Sequence, residues 1–326
     1  MTILRRQFLV AMGGSALLSP LAAYAQQPGY RIGWLSNDKP ADSPFFEAFR
    51  SGMRDLGYIE GRNLVIDARW GEGSPERLDQ LAVELVQSKP QIIVTQGGPA
   101  TFPVVRAKAA MPVVFGFSGD PVEAKVVDSY ARPGRNFTGT SYMSFELVGK
   151  RMEMLKEVIP GMKRVAIIAN PHHPGEQGEL RVSTAAAKSL GLMVDYFQVR
   201  NDAELESAFT AILKSRCDAI DAFPDAFVMR ASGKIAAFSM KNRIPAISGW
   251  AQFADRGNLM SYGPNLRDSY RRLAIYVDKI LKGAKPADLP IELPTTVEMV
   301  INMTTARVIG IKFPQTILVR ADKVIE

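Results

Sequence analysis

A chain of 326 residues, 47% hydrophobic and 22% charged, with Gly 26 and Pro 21 spread along it, is neither disordered nor fibrous and exceeds one typical core, so two lobes are expected. The formal charge of +7 is diffuse, with Arg267, Arg271 and Arg272 at helical spacing among acids and no aromatic-interleaved basic tract, which argues against nucleic-acid binding. The one cysteine, Cys217, excludes an intrachain disulfide and reads as a small buried side chain between a helix and a strand.

At the N-terminus, Arg5-Arg6-Gln7-Phe8-Leu9 precedes a moderately apolar run from Val10 to Ala22 and the small-x-small site Ala23-Tyr24-Ala25. This is the pattern of a cleaved signal peptide over residues 1–25. Its removal leaves 301 residues and a charge near +5, because Arg5 and Arg6 leave with no acid. The paired arginines resemble a twin-arginine signal, with Gly13 and Gly14 lowering the hydrophobicity; a general secretory (Sec) signal is the alternative. No cysteine stands at the cleavage site, which argues against a lipid anchor. No later run approaches the ~18 apolar residues of a membrane span, so a periplasmic protein without membrane insertion is expected.

From Arg31 the pattern is strand then helix. Ile32 to Leu35 is apolar, and a polar loop from Ser36 to Ser43 leads into a helix ending at Leu56-Gly57, with Gly57 as its left-handed cap. Leu64 to Trp70 alternates as a half-exposed edge strand does. Ser74-Pro75 opens a helix with Leu78, Leu81, Ala82, Leu85 and Val86 on one face. The unbroken apolar runs Ile92 to Val94 and Val113 to Phe117 suit strands buried on both faces.

The same order then recurs. Arg164 to Ala169 reads as a strand, Leu190-Gly191 ends a helix, Met193 to Val199 is a mixed strand, Leu205 to Leu213 is a helix stripe, Ala219 to Phe223 is a strand and Pro245 starts another. The offsets are nearly constant: 133 from Arg31 to Arg164, 134 from Gly57 to Gly191, 128 from Ile92 to Ile220 and 133 from Pro112 to Pro245. Two copies of one βα module imply an α/β protein of two doubly wound parallel-sheet lobes. The tail breaks the repeat: Pro264 to Gly283 is an amphipathic helix, and a Pro-rich link leads to a strand at Val297 to Ile301. Chain crossings near Gly139 to Ser144, Gly263 to Asn265 and Leu293 to Glu298 would make a three-strand hinge. The expected lobes are therefore 30–140 with 264–294, and 141–263 with 295–326.

In open parallel sheets ligands bind beyond the carboxyl ends of the strands. Each lobe offers three such turns: Ser36-Asn37, Gln96-Gly97-Gly98-Pro99 and Ser118-Gly119-Asp120-Pro121 in the first, Asn170 to Gly175, Pro224-Asp225 and Gly249-Trp250-Ala251-Gln252 in the second. Gly97-Gly98-Pro99-Ala100-Thr101 reads as a carboxylate cradle, with close backbone approach and a helix start at Pro99, or as an ordinary tight βα turn. Its counterpart in the second copy is Asp225, a carboxylate for a ligand ammonium, a helix N-cap, or both. Trp250, Phe253 and Tyr142 would stack on an apolar ligand body unless they serve the core.

Catalytic patterns are missing: there is no phosphate-binding loop, dinucleotide fingerprint, nucleophile elbow or H-E-x-x-H. The two histidines, His172 and His173, are adjacent in Asn170-Pro171-His172-His173-Pro174, where neighbours point apart rather than converging on a metal; they line the cleft or face solvent. No catalytic residue, metal or cofactor is expected. Asp221, inside a strand that should be buried, needs a partner or a place at the sheet edge.

Five strings carry a family resemblance: Gly119-Asp120-Pro121-Val122, Ala131-Arg132-Pro133-Gly134-Arg135-Asn136-Phe137-Thr138-Gly139, Leu259-Met260-Ser261-Tyr262-Gly263-Pro264-Asn265, the stretch from Tyr276 to Pro286, and Leu318-Val319-Arg320-Ala321-Asp322-Lys323-Val324-Ile325. In this order and spacing the chain resembles the ABC-transporter substrate-binding family that includes tryptophan/tyrosine-type solute-binding proteins, over nearly all of Arg31 to Glu326. The resemblance implies a periplasmic binding protein type I fold and a monomer that encloses a small ligand, an amino acid or an aromatic or carboxylated molecule, and delivers it to the transmembrane subunits of an ABC permease. It places Ser36, Gly98, Pro99, Ala100, Thr101 and Asp120 on the first wall, Tyr142 at the hinge, and Asn170, Asp225, Trp250 and Gln252 on the second. His172-His173 and Asp221 depart from the family pattern. An exported sensing module for a membrane receptor would have the same cleft; a cleft enzyme would need a nucleophile with a base, or a metal, in it.

Overall fold

Two sheets carry the chain in the computed structural model, which describes residues 29–40, 43–142 and 145–326; residues 1–25, where a signal peptide is expected, and Met143 and Ser144 of the first crossing lie outside the described residues. The first sheet has the order β2-β1-β3-β4-β5, built from β1 (Tyr30–Ser36), β2 (Leu64–Trp70), β3 (Ile92–Gln96), β4 (Val113–Phe117) and β5 (Phe137–Ser141), all parallel. The unbroken apolar runs became the central strands β3 and β4, and the alternating run became the edge strand β2. Helices α1 (Pro44–Asp55), α2 (Pro75–Gln87) and α3 (Gly97–Arg106) connect them. The first two start as their sequences dictate, with Ser43 Oγ accepting from Phe46 N–H and Ser74 Oγ from Arg77 N–H, each followed by a proline at the first helical position.

After α4 (Phe145–Val158) the second sheet repeats that order as β7-β6-β8-β9-β10 and continues into β11 and β12. Its strands are β6 (Arg164–Ala169), β7 (Met193–Gln198), β8 (Ala219–Ala222), β9 (Ala246–Ser248), β10 (Met260–Pro264), β11 (Val297–Asn302) and β12 (Lys323–Ile325). Between them run α5 (Glu176–Ser189), α6 (Asp202–Ser215), α7 (Ala226–Asn242), α8 (Ala251–Asp255), α9 (Leu266–Leu281), α10 (Met303–Ile309) and α11 (Gln315–Leu318). The duplication is thus a duplication of topology. The second sheet is not wholly parallel, however, because β11 lies antiparallel to β10, with Pro264 opposite Val297. The cause is the route of the chain: β10 runs out of this sheet and β11 runs back in beside it.

Between those strands the chain visits the first sheet. Helix α9 packs on α1, β4 and β5; Tyr58 Oη donates to Asp278 Oδ1 at 2.9 Å and Arg271 pairs with Asp55 at 2.6 Å. The following segment stays there, with Thr138 Oγ1 donating to Leu289 O at 2.8 Å, before β11 returns. Three segments therefore cross between the sheets. They hydrogen-bond to one another, Glu292 N–H to Gly139 O at 3.1 Å, Ser141 N–H to Glu292 O at 3.0 Å and Asn265 N–H to Thr296 O at 2.9 Å.

A cleft between two sets of strand ends

The turns beyond β4 and β6 meet. Asp120 N–H, on the first sheet's side, donates to Pro174 O, on the second's, at 3.2 Å. The carboxyl ends of the two sheets thus face one another, which is the arrangement a ligand enclosed by both would need.

On the first wall, Ser36 ends β1 fully buried, and its Oγ accepts from Asp38 N–H at 3.0 Å. Gln96 joins this network, its side-chain amide donating to Asp38 and its Oε1 accepting from Ser43 Oγ. Helix α3 starts two residues earlier than expected: Gln96 is its extended N-cap, and Gly97, at φ +77°, and Gly98 lie within the first turn rather than ahead of Pro99. Pro99 has no N–H, so Gly97 and Gly98 supply the forward amides, and the Tyr270 hydroxyl sits against the Gly97 backbone. Ala100 and Thr101 are fully buried. The Thr101 hydroxyl donates to Gly97 O at 2.8 Å and lies 2.8 Å from the Thr95 hydroxyl, so it braces the turn. Asp120 Oδ1 likewise accepts from Val122 N–H at 2.8 Å and Glu123 N–H at 3.2 Å.

Tyr142, at the end of the first crossing, is buried edge-on to Tyr270 with ring centroids 5.3 Å apart. Burial pushes its hydroxyl well up from the usual phenol range. On the second wall Asp225 is the helix N-cap its position suggested, Oδ1 accepting from Val228 N–H at 2.6 Å at the start of α7, while Oδ2 accepts from Asn170 Nδ2 at 2.7 Å. Asn170 Oδ1 in turn accepts from His172 N–H at 3.0 Å. Trp250 caps α8, and Gln252 Oε1 is enclosed with no hydrogen-bond partner. Phe253 is fully buried in the core rather than exposed to the cleft.

The two histidines part company, His172 facing solvent and His173 turning in between the walls. Among the described residues no three His, Cys, Asp or Glu side chains are grouped to hold a metal ion. Cys217 is buried with Sγ 3.3 Å from Asp195 Oδ2, and burial, followed by that carboxylate, pushes its thiol up to about 12. It is therefore unreactive. No helix among the described residues is long and apolar enough to cross a membrane.

Behind the second wall lies a group that sequence reading missed. Asp221 sits in a central strand, not at an edge, in register between Ile167 and Ile247. It is completely buried, and its partner is Arg151 of α4, Nε to Oδ1 at 3.3 Å. The same guanidinium reaches Glu179 of α5, Nη2 to Oε1 at 3.4 Å. Burial raises Glu179 to about 7, against the pull of Arg151 and helped by repulsion from Asp221 and Asp225. Asp221 is raised by burial and held back by Arg151. The cluster adjoins the cleft: Arg151 Nη1 stands 3.0 Å from where a side chain on Gly249 would begin. A signal was present, since Arg151 falls on the apolar stripe of Val148, Met152, Leu155 and Val158, where a cation needs an anion.

Fold and cleft together define a two-lobed solute-binding protein. Over residues 38–325 the chain matches the model of the ABC transporter substrate binding protein family, and it belongs to that family. It is 22% identical over 267 residues to a tyrosine-binding protein of Clostridioides difficile, covering 82% of this chain and 76% of that one. Among solved structures, a conserved domain protein from Vibrio cholerae is similar at TM-score 0.83 and 27% identity, over 90% of this chain and 99% of that one. An ABC domain from Streptococcus pneumonia in complex with L-Trp is similar at TM-score 0.83 and 25% identity, over 91% and 100%. The fold is of the periplasmic binding protein type I kind, and the family comprises solute-binding proteins rather than enzymes.

Proposed function

We propose that this protein is the periplasmic solute-binding component of an ABC importer, closing on an amino acid and presenting it to the permease's transmembrane subunits. The observation that carries the reading is unlike chemistry on the two walls: a helix start at Gly97-Gly98 on the first, and the Asp225 carboxylate at the start of α7 on the second. The first suits a carboxylate and the second an ammonium. Gln252 Oε1 is a further acceptor without a partner, and Tyr142 and Trp250, buried in the same core cluster as Phe253, would meet an aromatic body only at their edges. Asn170 holds the Asp225 carboxylate, while Ser36 and Asp120 brace their own turns. The relatives named for tyrosine and crystallised with L-Trp support the same ligand class.

The lobes that close are 30–140 with 264–294 against 141–263 with 295–326, pivoting on the three crossings. Ligand contacts both only when they are together, so its binding energy shifts the equilibrium toward closure. A thermal-shift screen of amino acids, aromatic acids and sugars is the test. At a hundredfold excess over Kd a true ligand adds about 2.7 kcal/mol of stability, and small-angle scattering should show the radius of gyration falling with it. If no amino acid or small carboxylate moves either reading, the ligand class is wrong.

Residues 1–25 direct export in this reading, by the twin-arginine route. Replacing Arg5 and Arg6 together with lysine should then trap precursor in the cytoplasm, whereas undiminished secretion points to the general route.

A further inference from the structure

The turn that follows β6 reaches across the cleft and touches the opposite wall. Pro171 and Pro174 stiffen it on either side of the histidines, and it is held from within, His172 N–H donating to Asn170 Oδ1 and His173 N–H to Asn170 O, both at 3.0 Å. Pro174 O accepts from Asp120 N–H at 3.2 Å, from the other sheet. Gly119 is what lets the walls meet this closely. A Cβ there would stand 2.5 Å from Pro174 O and 3.1 Å from Pro174 Cβ, closer than packed atoms tolerate.

His173 fills the space beside this contact, its ring against the backbone of Ser118 and its Nε2 shut away from solvent without a partner. A neutral imidazole leaves Nε2 as a bare acceptor; an imidazolium would bury a charged donor there with nothing to receive it. Carboxylates face the ring from three elements, Asp225 at the start of α7, Glu176 on α5 and Glu123 beyond β4 on the opposite wall, and all favour the cation. Burial outweighs them and holds His173 below its ordinary 6.5.

We propose that the Asn170–Pro174 turn is an interlobe latch, with Gly119 as its seat and His173 as the positioning residue that keeps the walls together while neutral and parts them on taking a proton. This rests on the reading that the two lobes move, and requires no particular ligand. In the separated state the ring is hydrated and binds protons more readily than in the closed one. Closure is therefore at full strength above about pH 6.5 and weakens as the pH falls below it.

The test is the distance between nitroxides on Ala110→Cys in the first lobe and Lys188→Cys in the second, both exposed sites, in the full mature chain; buried Cys217 does not compete for label. Pulsed electron resonance at about pH 8 and about pH 5, with and without saturating L-tryptophan, brackets the imidazole titration. The short-distance population should shrink at the lower pH. Gly119→Ala should lose that population at both pH values while keeping its melting temperature, because separating the lobes relieves the clash without unfolding. His173→Gln, which cannot titrate, should abolish the pH response. A response that survives in His173→Gln, a wild-type distribution identical at the two pH values, or a Gly119→Ala distribution like the wild type overturns the latch. Failure of L-tryptophan to bind counts against the ligand class alone, since the ligand-free distances still report the latch.

Discussion

Asp225→Ala should weaken amino-acid binding by about 30-fold to several thousandfold, the equivalent of the roughly 2–5 kcal/mol lost when one partner of an enclosed charge pair is removed. The substitution also strips the N-cap of α7 and leaves Asn170 Nδ2 without its acceptor. Loss of a cap costs about 0.5–2 kcal/mol, a fraction of the ~5–15 kcal/mol that holds a domain together, so the chain stays folded. Asp225→Asn separates the two effects, because asparagine caps helices well and carries no charge. Isothermal titration of both variants against L-tryptophan and L-tyrosine, with urea unfolding alongside, checks the prediction. Binding that persists in Asp225→Asn would show that the carboxylate serves only the fold.

The second large effect concerns the ion cluster behind the same wall. Arg151→Met should cost about 3–5 kcal/mol, because it strands the carboxyls of Asp221 and Glu179 in the interior. Glu179→Gln is gentler and diagnostic. In the folded protein Glu179 holds its proton up to about 7, against an ordinary 4.5 when unfolded, so between those values the native state binds more protons. Stability should therefore fall as pH rises through that window, by on the order of 2–3 kcal/mol. Asp221, also raised by burial, adds in the same direction. Urea midpoints across that range should be flatter in Glu179→Gln than in the wild type; equal slopes would mean that the carboxyl is ionised throughout. His173 acts with the opposite sign and on lobe closure, so ligand affinity and global stability respond to acid in opposite ways.

Much of the scaffold is written locally. Ser43-Pro44 and Ser74-Pro75 start α1 and α2 because a hydroxyl and a proline satisfy a helix end wherever it lies, and Leu64 to Trp70 reads as an edge strand from alternation alone. The N-cap role of Asp225 was legible for the same reason, from an aspartate just ahead of a helix pattern. The limits were equally local. Ala100 and Thr101 belong to the glycine-rich string, yet their side chains turn inward to brace it, and periodicity does not say which face of a short turn meets the cleft.

By itself the sequence determined that this is a duplicated α/β protein with a binding cleft, since alternation, helical spacing, caps and the near-constant offset between copies all survive without knowledge of what packs on what. Only the tertiary structure decided that Asp221 answers to Arg151, that β11 runs against β10, and that Gly119 receives Pro174. These are contacts between segments distant in the chain. The energy of a buried charge or a backbone approach depends on the neighbour that arrives there, and that neighbour is chosen by the path of the whole chain.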